Sequence, residues 1–231
     1  MSDASDAAPT ARVLAYGAAA LLVDLGDATA VAHLTRAIGA SALAAEVEVV
    51  PAATTVLVRV GDPRRGAAPG RLAAVRHALV ELLAQPAVAI DASAADAADA
   101  ADADADLVEI PVRYDGDDLS DVAGRVGLTV AELITLHSGT VFLAAFCGFT
   151  AGFCYMTGLP ERLVLPRRPS PRPRVPANTV AIADIYCGVY PAATPGGWNL
   201  LGTTAVSMWD ARRDPPSLVS PGQRVRFVPV T

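Results

Sequence analysis

The sequence predicts an α+β protein made of two parts with different patterns. Before residue 90, short runs rich in β-branched residues alternate with two amphipathic stretches, which is typical of a small α/β sandwich with helices on one face of a sheet. After residue 140, prolines and glycines recur between short apolar runs, as they do in a closed or sandwich-like β structure. A run of aspartate and alanine lies between the two parts.

The aspartate–alanine run covers residues 91–106 (DASAADAADAADADAD) and sets the predicted domain boundaries. It has no aromatic or β-branched residue, and its aspartates repel one another and are poor helix formers. We therefore expect a flexible linker or an inserted loop here, between an N-terminal α+β domain at 1–90 and a β-rich domain at 107–231.

The N-terminal part is predicted to run in the order strand, strand, helix, strand, strand, helix. The predicted strands cover residues 12–16, 20–25, 46–50 and 54–60, with a further one at 88–90. The predicted helices cover 29–38 and 71–83, and the second carries an apolar stripe of Leu72, Val75, Leu79, Leu82 and Leu83.

The C-terminal part begins with a predicted strand at 107–113 and two short helices, the first at 119–126. The second helix begins at Thr129, which forms a T-x-x-E capping box with Glu132, so that each side chain satisfies a backbone N–H of the other residue. Gly139 stands where a left-handed glycine commonly ends a helix. The residues that follow supply the short apolar runs of the β structure.

All 18 basic residues are arginine, and the chain contains no lysine. This composition excludes a Schiff-base lysine, a biotinylated lysine and the phosphate-binding lysine of a Walker A loop. A covalently bound biotin or a P-loop nucleotide site would therefore belong to another chain.

The formal net charge of −6 equals the charge of the aspartates in the predicted linker, so the rest of the chain is neutral. A neutral remainder has no basic field, and we expect no nucleic-acid partner. No apolar stretch approaches the roughly 18–20 residues of a membrane helix, and the first ten residues lack the basic and apolar regions of a signal peptide. These features predict a cytoplasmic protein without a membrane partner.

The three cysteines are Cys147, Cys154 and Cys187, and none of them belongs to a C-x-x-C pair. An odd number without that spacing argues against a disulfide framework and a structural zinc site, so buried reduced thiols are expected. No H-E-x-x-H sequence or carboxylate–histidine cluster indicates a metal site, and no G-x-S-x-G sequence indicates a serine nucleophile.

Several segments of the C-terminal part occur in an order that is typical of one family. They are FCGFTAGFCYMTGLP at 146–160, PRRPSPRPRVPANTVAIA at 166–183, GVYP at 188–191, TPGGWNLLG at 194–202 and PGQRVRFVPV at 221–230. With IPVRY at 110–114 and LHS at 136–138, they resemble the motifs of the family that contains the B-type chain of 5-oxoprolinase, the kinase inhibitor KipI and half of the urea-carboxylase carboxyltransferase. The motifs lie in roughly half of the chain, and the N-terminal half fits in pattern only.

The resemblance implies an N-terminal α+β domain followed by a cyclophilin-like β-barrel. It also implies a larger, C-type (KipA-like) partner and a third, LamB/YcsF-like subunit. In the oxoprolinase members these subunits together open the lactam of 5-oxoproline to glutamate at the expense of ATP. The chain would then be a B-type subunit that is inactive alone, shares its site with the C-type partner and binds ATP only with the partner subunits.

The sequence departs from the family motifs at two places, the second of which lies near the expected pocket. Ala151 stands where relatives have a proline, and Tyr186 and Cys187 stand where relatives usually have glutamine and threonine. The second departure removes an amide and a hydroxyl, so we expect it to affect the identity of the substrate more than the fold.

Three other functions stay open at the level of the sequence. A KipI-like chain would bind and inhibit a sensor histidine kinase. A urea- or amide-carboxylating system would need a C-type partner and a biotin carrier on another chain. Peptidyl-prolyl isomerase activity would follow only from the shape of a barrel, which is an analogy between folds.

The arginine–proline segment at 166–176 supplies the first candidates for a site. Proline keeps this segment extended, so its arginines lose little conformational entropy when they bind a carboxylate or phosphate. A lactam acid or its acyl phosphate offers such an anion, and the family motif favours Arg172 and Arg174, followed by Arg168, as substrate-binding residues. The alternative is a solvated surface loop.

One histidine and three aromatic residues complete the predicted site. His137 ends its helix and could act as a general acid or base, although an interaction with the helix dipole would equally explain it. Tyr155, Tyr190 and Trp198 could form the wall of a substrate pocket, although aromatic residues on strands more often belong to a core.

Overall fold

The structure is a computed structural model that describes residues 11–62, 64–85 and 107–231. The described residues form two compact units, one in 11–85 and the other in 107–231, and each unit has its own hydrophobic core. Both units combine helices with β-sheet, which confirms the α+β prediction. The predicted linker at 91–106, the predicted strand at 88–90 and the first ten residues lie outside the described residues.

The N-terminal unit is an antiparallel sheet with two helices packed on one face. Its elements are β1 (Arg12–Tyr16), β2 (Ala20–Asp24), α1 (Ala28–Gly39), a 3-10 helix (Ala42–Ala45), β3 (Glu48–Pro51), β4 (Thr55–Arg59) and α2 (Arg71–Ala84), with the strands paired in the order β1-β2-β4-β3. Side chains alternate along a strand, which places Val23, Val56 and Val58 on the covered face. They pack in one buried cluster with Leu34 of α1 and Leu79 of α2. The predicted order of elements is confirmed.

The C-terminal unit contains two short helices and nine strands among its described residues. In chain order the elements are β5 (Leu107–Val112), α3 (Leu119–Arg125), α4 (Val130–Ser138), β6 (Val141–Cys147), β7 (Cys154–Thr157), a 3-10 helix (Glu161–Leu163), β8 (Arg172–Val175), β9 (Thr179–Ala183), β10 (Tyr186–Tyr190), β11 (Thr194–Gly196), β12 (Asn199–Thr203) and β13 (Arg224–Pro229). Strands β8 and β11 form a separate two-stranded sheet.

The other seven strands form a sheet in the order β12-β9-β10-β7-β6-β13-β5, which is nearly closed into a barrel. The outer strands meet where Arg113, just after β5, exchanges two backbone hydrogen bonds of 2.9 and 2.8 Å with Thr203 of β12. This close approach needs glycine, because a Cβ atom at Gly202 would overlap the Arg113 carbonyl and one at Gly116 would overlap the Leu200 backbone. The prediction of a barrel is therefore confirmed.

The interior of the barrel is filled by apolar side chains from its strands and from both helices. Ile110, Phe142, Leu133 and Phe227 are completely buried there in one cluster. The cluster holds α3 and α4 against the sheet, since each helix turns its apolar face towards it. Within the parts of the chain that the structure describes, no helix combines the length and the apolar character needed to cross a membrane.

The start of α4 agrees with the sequence, but its end does not. The capping box is present, because the Glu132 amide donates to Thr129 Oγ1 at 3.2 Å and the Thr129 amide donates to a Glu132 carboxylate oxygen at 2.8 Å. Gly139, however, has φ −75° and is right-handed, so the expectation of a left-handed glycine was wrong. Its amide continues the helical pattern by donating to the Thr135 carbonyl, and an added Cβ would lie only 3.0 Å from that oxygen.

Candidate functional site

A pocket with an aromatic wall lies on the barrel unit and has a volume of about 250 Å³. It is lined by Phe149, Phe153, Tyr155, Arg167, Pro171, Tyr190, Pro195, Gly196, Gly197 and Trp198. The predicted residues Tyr155, Tyr190 and Trp198 come from three different parts of the barrel, and the structure brings them together here. Their grouping gives the pocket flat apolar surfaces and two phenol groups.

Phe153 is the centre of the aromatic wall. Its ring meets Tyr155, Tyr190 and Trp198 edge to face, at centroid distances of 4.9, 5.3 and 5.4 Å. This is the arrangement that the ring quadrupoles favour. Gly188 provides the space behind the wall, since a Cβ atom there would lie 3.1 Å from the Phe153 ring and 3.2 Å from Trp198.

Tyr190 is a tyrosine of this wall whose pKa is changed by burial. Burial raises the pKa of Tyr190 above the ordinary value for a phenol, so its hydroxyl keeps its proton. Gly196 lies against this hydroxyl, and any side chain there would overlap it. The Tyr190 hydroxyl can therefore donate a hydrogen bond to a ligand at neutral pH.

Phe149 projects beside the pocket in an unusual conformation. Its φ is +69°, a left-handed value that a bulky residue rarely adopts, and 63% of its surface is exposed. Such a conformation costs about 1–3 kcal/mol and is concentrated at functional sites. The ring contacts Phe153 at a centroid distance of 5.6 Å, so this strained and exposed residue is directly continuous with the aromatic wall.

Arg167 is the positively charged residue among those that line the pocket. Its guanidinium lies 3.6 Å from the Asp184 carboxylate, and both side chains are more than half exposed. Exposed ion pairs contribute little, about 0–1 kcal/mol, so this pair does not prevent Arg167 from binding an anionic ligand. The sequence predicted that arginines of this segment bind the substrate, but it favoured Arg172, Arg174 and Arg168 over Arg167. A sequence motif does not give the direction in which each side chain points, so it could not identify Arg167 as the arginine that lines the pocket.

Arg168 and Arg172 both bind the same buried carboxylate. Each donates a 2.7 Å hydrogen bond to the same oxygen of Asp118, whose residue is only 3% exposed. The second Asp118 oxygen accepts a hydrogen bond of 2.8 Å from the Leu200 amide. The two arginines hold the arginine–proline segment on the barrel, and their predicted contact with a substrate stays a prediction.

Asp118 was not predicted from the sequence. Its position at the start of a short helix suggests a local cap, yet its carboxylate makes no cap hydrogen bond there. Its arginine partners lie 50 and 54 residues further along the chain, and no local pattern could reveal that contact. By fixing the segment that carries Arg167 and Pro171, Asp118 helps to position one side of the pocket.

Arg174 is exposed on β8 and does not line the pocket. The structure gives it no ion pair with the residues described around it. Its predicted contact with a substrate therefore has no support from this geometry.

His137 lies inside the barrel and is completely buried. Its Nδ1 lies 2.8 Å from the Tyr114 hydroxyl, and its Nε2 lies 3.3 Å from Cys187 Sγ. Burial lowers the pKa of His137 to about 3, so the ring is neutral at physiological pH. A neutral ring with no exposed surface argues against the predicted acid–base role, and it also removes the charge that the helix-dipole explanation requires.

Tyr186 and Cys187, which depart from the family motif, are successive residues of β10, so their side chains lie on opposite faces of the sheet. Cys187 is buried beside His137 and does not reach the pocket. Tyr186 packs edge to face on Tyr155 at 5.5 Å, so it supports the aromatic wall from behind. Of these two residues, Tyr186 is therefore the one that contacts a residue of the pocket lining, namely Tyr155.

The fold and the pocket define a class of protein: an α+β chain whose barrel unit presents a small aromatic pocket with an arginine beside it. Residues 11–219 match the family described as the carboxyltransferase domain, subdomain C and D. The chain belongs to this family, which confirms the resemblance carried by its motifs.

Similar proteins agree with this assignment. The chain is 48% identical over 126 residues to the B-type chain of 5-oxoprolinase from Escherichia coli O157:H7, a match that covers 53% of this chain and 58% of the relative. The crystal structure of TTHA0988 is similar with a TM-score of 0.68 and 35% identity, over 92% of this chain and 40% of the other. Urea carboxylase of Kluyveromyces lactis shares the fold with a TM-score of 0.58 at 16% identity, over 96% of this chain and 22% of the other. The chain thus spans little more than half the length of the curated relative.

Proposed function

We propose that this chain is the B-type subunit of a 5-oxoprolinase-type complex and that its aromatic pocket holds the lactam acid. The observation that carries the proposal is the combination of an aromatic wall with Arg167 in one small pocket. A lactam acid has a flat ring for the aromatic surfaces and a carboxylate for the guanidinium, which can bind it through two hydrogen bonds. The Tyr190 hydroxyl, which keeps its proton, would donate a hydrogen bond to the lactam carbonyl.

The size of the pocket supports a small substrate. Its volume of about 250 Å³ is below the range of about 300–1,000 Å³ that is usual for drug-sized ligands. A single-ring acid suits this volume, whereas ATP is much larger. We therefore propose that ATP is bound with the help of partner subunits, in line with the absence of lysine from the chain.

The exposed Phe149 supports a site that is shared with another subunit. An aromatic residue with a strained backbone that is 63% exposed at the pocket offers a surface that a partner can cover. We propose that the partner is the C-type (KipA-like) subunit and that a LamB/YcsF-like third subunit completes the complex. The proposed activity, hydrolysis of the lactam driven by ATP, then requires all three chains.

Reconstitution of the complex tests this proposal. The chain is expressed with and without the two partner subunits, and glutamate formed from 5-oxoproline and ATP is measured. We expect glutamate only when all three chains are present. Turnover by this chain alone would contradict the shared site, and an assembled but inactive complex would contradict the substrate.

Arg167→Gln tests the role of the pocket in that reaction. The substitution removes the charge that would bind the carboxylate, and hydrogen bonds to charged groups contribute about 1.5–3 kcal/mol. We expect KM for 5-oxoproline to rise by about tenfold or more, with a smaller effect on kcat. Arg174→Gln is the matched control, because it removes an exposed arginine from the same segment outside the pocket. Equal kinetics for both variants would show that Arg167 does not bind the substrate.

A further inference from the structure

Cys147 and Cys154 lie directly opposite each other on neighbouring strands. They are register partners at the end of the antiparallel pair of β6 and β7. Next to them, the Gly148 amide donates to the Phe153 carbonyl at 3.1 Å, which shows that the cysteines occupy a position without mutual hydrogen bonds. Opposite residues at such positions have Cα atoms about 4.5 Å apart, and disulfides span Cα separations of about 4.4–6.8 Å.

The two thiols also lie on the same side of the sheet. Cys154 is completely buried in the main core cluster of the barrel, and Cys147 packs against that cluster while remaining partly exposed. Side chains of opposite residues in an antiparallel pair share one face, so the two sulfur atoms can meet by side-chain rotation without a change of backbone. Cys187 is also buried, but it faces His137 and not another cysteine.

We propose that Cys147 and Cys154 are a reversible disulfide site that is oxidised by hydrogen peroxide. The Cys147 thiolate attacks one peroxide oxygen, which breaks the O–O bond, releases water after protonation and leaves a sulfenic acid on Cys147. The Cys154 sulfur then attacks the Cys147 sulfur, and the departing hydroxide takes the Cys154 proton and leaves as a second water. Overall, two thiols lose two electrons and two protons, and one peroxide becomes two waters.

The surroundings of the two cysteines indicate which one reacts with peroxide and which one attacks the sulfenic acid. Cys147 is the more exposed and can meet peroxide, whereas Cys154 has no exposed surface. The interaction with the neighbouring Cys154 thiol lowers the pKa of the Cys147 thiol, while that same interaction and burial raise the pKa of Cys154. Cys147 therefore reacts first and Cys154 resolves the sulfenic acid.

The position of the pair connects this chemistry to the pocket. The cysteines close the base of the loop 148–153, which carries Phe149 and Phe153 to the aromatic wall. A disulfide ties the two ends of this loop together covalently. The redox state of the two thiols is thus linked to the residues that line the pocket. The oxidation itself does not depend on the proposed lactam reaction.

Peptide mapping of the intact chain tests the proposal. The folded protein is treated with hydrogen peroxide, denatured, alkylated and cut with trypsin, which cleaves after arginine. Cys147 and Cys154 then share the peptide 126–162, whereas Cys187 lies in the peptide 175–212. We expect the first peptide to lose the mass of two hydrogen atoms and to take up no alkylating agent, and dithiothreitol to restore both thiols. Chymotrypsin, which cuts after Phe149 and Phe153, should leave the two cysteine peptides joined.

Two variants make the result specific. Cys147→Ser should leave the Cys154 thiol free for alkylation after the peroxide treatment, and Cys147→Ala repeats this test if the serine variant is unstable. Cys187→Ser is the matched control, since it removes a buried thiol without a cysteine partner and should keep the disulfide. The proposal would be overturned by sulfinic acid on Cys147 with free Cys154, by two unchanged thiols, or by disulfides between separate chains.

Discussion

Asp118 is a buried carboxylate that binds two arginines. It accepts hydrogen bonds from Arg168, Arg172 and the Leu200 amide, and it is almost completely buried. A buried carboxylate is tolerated only when it is paired and hydrogen-bonded, which explains why two guanidinium groups meet it. Arg168 Nε and Arg172 Nη1 remain buried without a hydrogen-bond partner, so the cluster fixes the segment at some cost in solvation.

His137 predicts a specific dependence of stability on pH. The unfolded histidine has a pKa near 6.5 and the folded one near 3, so between these values the unfolded chain binds a proton that the folded chain does not. The free energy of unfolding therefore falls as the pH is lowered, by about 2 kcal/mol between pH 7 and pH 5 from this group. Urea unfolding at both pH values measures the change.

A pair of variants isolates this contribution. His137→Gln removes the titrating ring, so its loss of stability between pH 7 and pH 5 should be smaller by about 2 kcal/mol than that of the unchanged chain. His77→Gln removes a histidine whose side chain is 77% exposed and is the control for loss of an imidazole. If His137→Gln kept the pH dependence of the unchanged chain, the buried ring would not be its source.

The residues of the site show what the sequence could and could not predict. Tyr155, Tyr190 and Trp198 were predicted together because they stand in motifs of one family, and they do meet at the pocket. Arg172 was predicted as a ligand contact from the extended arginine–proline segment and the family motif, and the structure shows it bound to Asp118, which lies 54 residues earlier in the chain. The charge of a residue is evident from sequence, whereas its partner depends on the folded chain.

The same contrast applies to whole elements. The strands of the N-terminal unit and the start of α4 follow from β-branched runs and a capping box, which are local patterns. The order β12-β9-β10-β7-β6-β13-β5 could not be predicted, because the pairs that set it join distant segments. The closing contact between Arg113 and Thr203 depends on small residues that carry no periodic pattern.

Gly202 in β12 is expected to be essential for closure of the barrel. Its φ is not left-handed, so the requirement is for space, since a Cβ atom would overlap the Arg113 carbonyl. We expect Gly202→Ala to push β12 away from the end of β5 and to lower the free energy of unfolding by about 1–3 kcal/mol, the usual cost of overpacking. Chemical denaturation followed by circular dichroism measures the loss.

Gly124 in α3 provides a control with the opposite sign. A Cβ atom there meets nothing within 4 Å, and the residue has an ordinary helical φ. Because alanine favours a helix over glycine by about 1 kcal/mol, Gly124→Ala should stabilise the chain slightly. Similar effects of both substitutions would show that the contact at Gly202 does not hold the barrel closed.

At the scale of the whole molecule, the two separate cores predict two unfolding events. Leu34 belongs to the core of the N-terminal unit and Leu133 to that of the barrel unit, and both are completely buried. Leu34→Ala should destabilise its own unit by about 3 kcal/mol. Both tryptophans, Trp198 and Trp209, belong to the barrel unit, so the midpoint of tryptophan fluorescence in urea should not move.

The reciprocal variant completes this test. Leu133→Ala should lower the urea concentration at the midpoint of the fluorescence change. The part of the circular dichroism signal that comes from the N-terminal unit should keep its midpoint. A common shift of both signals by either substitution would mean that residues 11–85 and 107–231 unfold as one cooperative body.

The place of β13 has a consequence for how the chain is made on the ribosome. This strand lies between β5 and β6, yet its residues follow their β5 partners by 117 positions. During translation β5 therefore emerges long before its partner exists, and an unpaired strand can associate with strands of other chains. The N-terminal unit pairs strands that are close in sequence and can fold early, whereas the barrel must wait for the synthesis of residue 229.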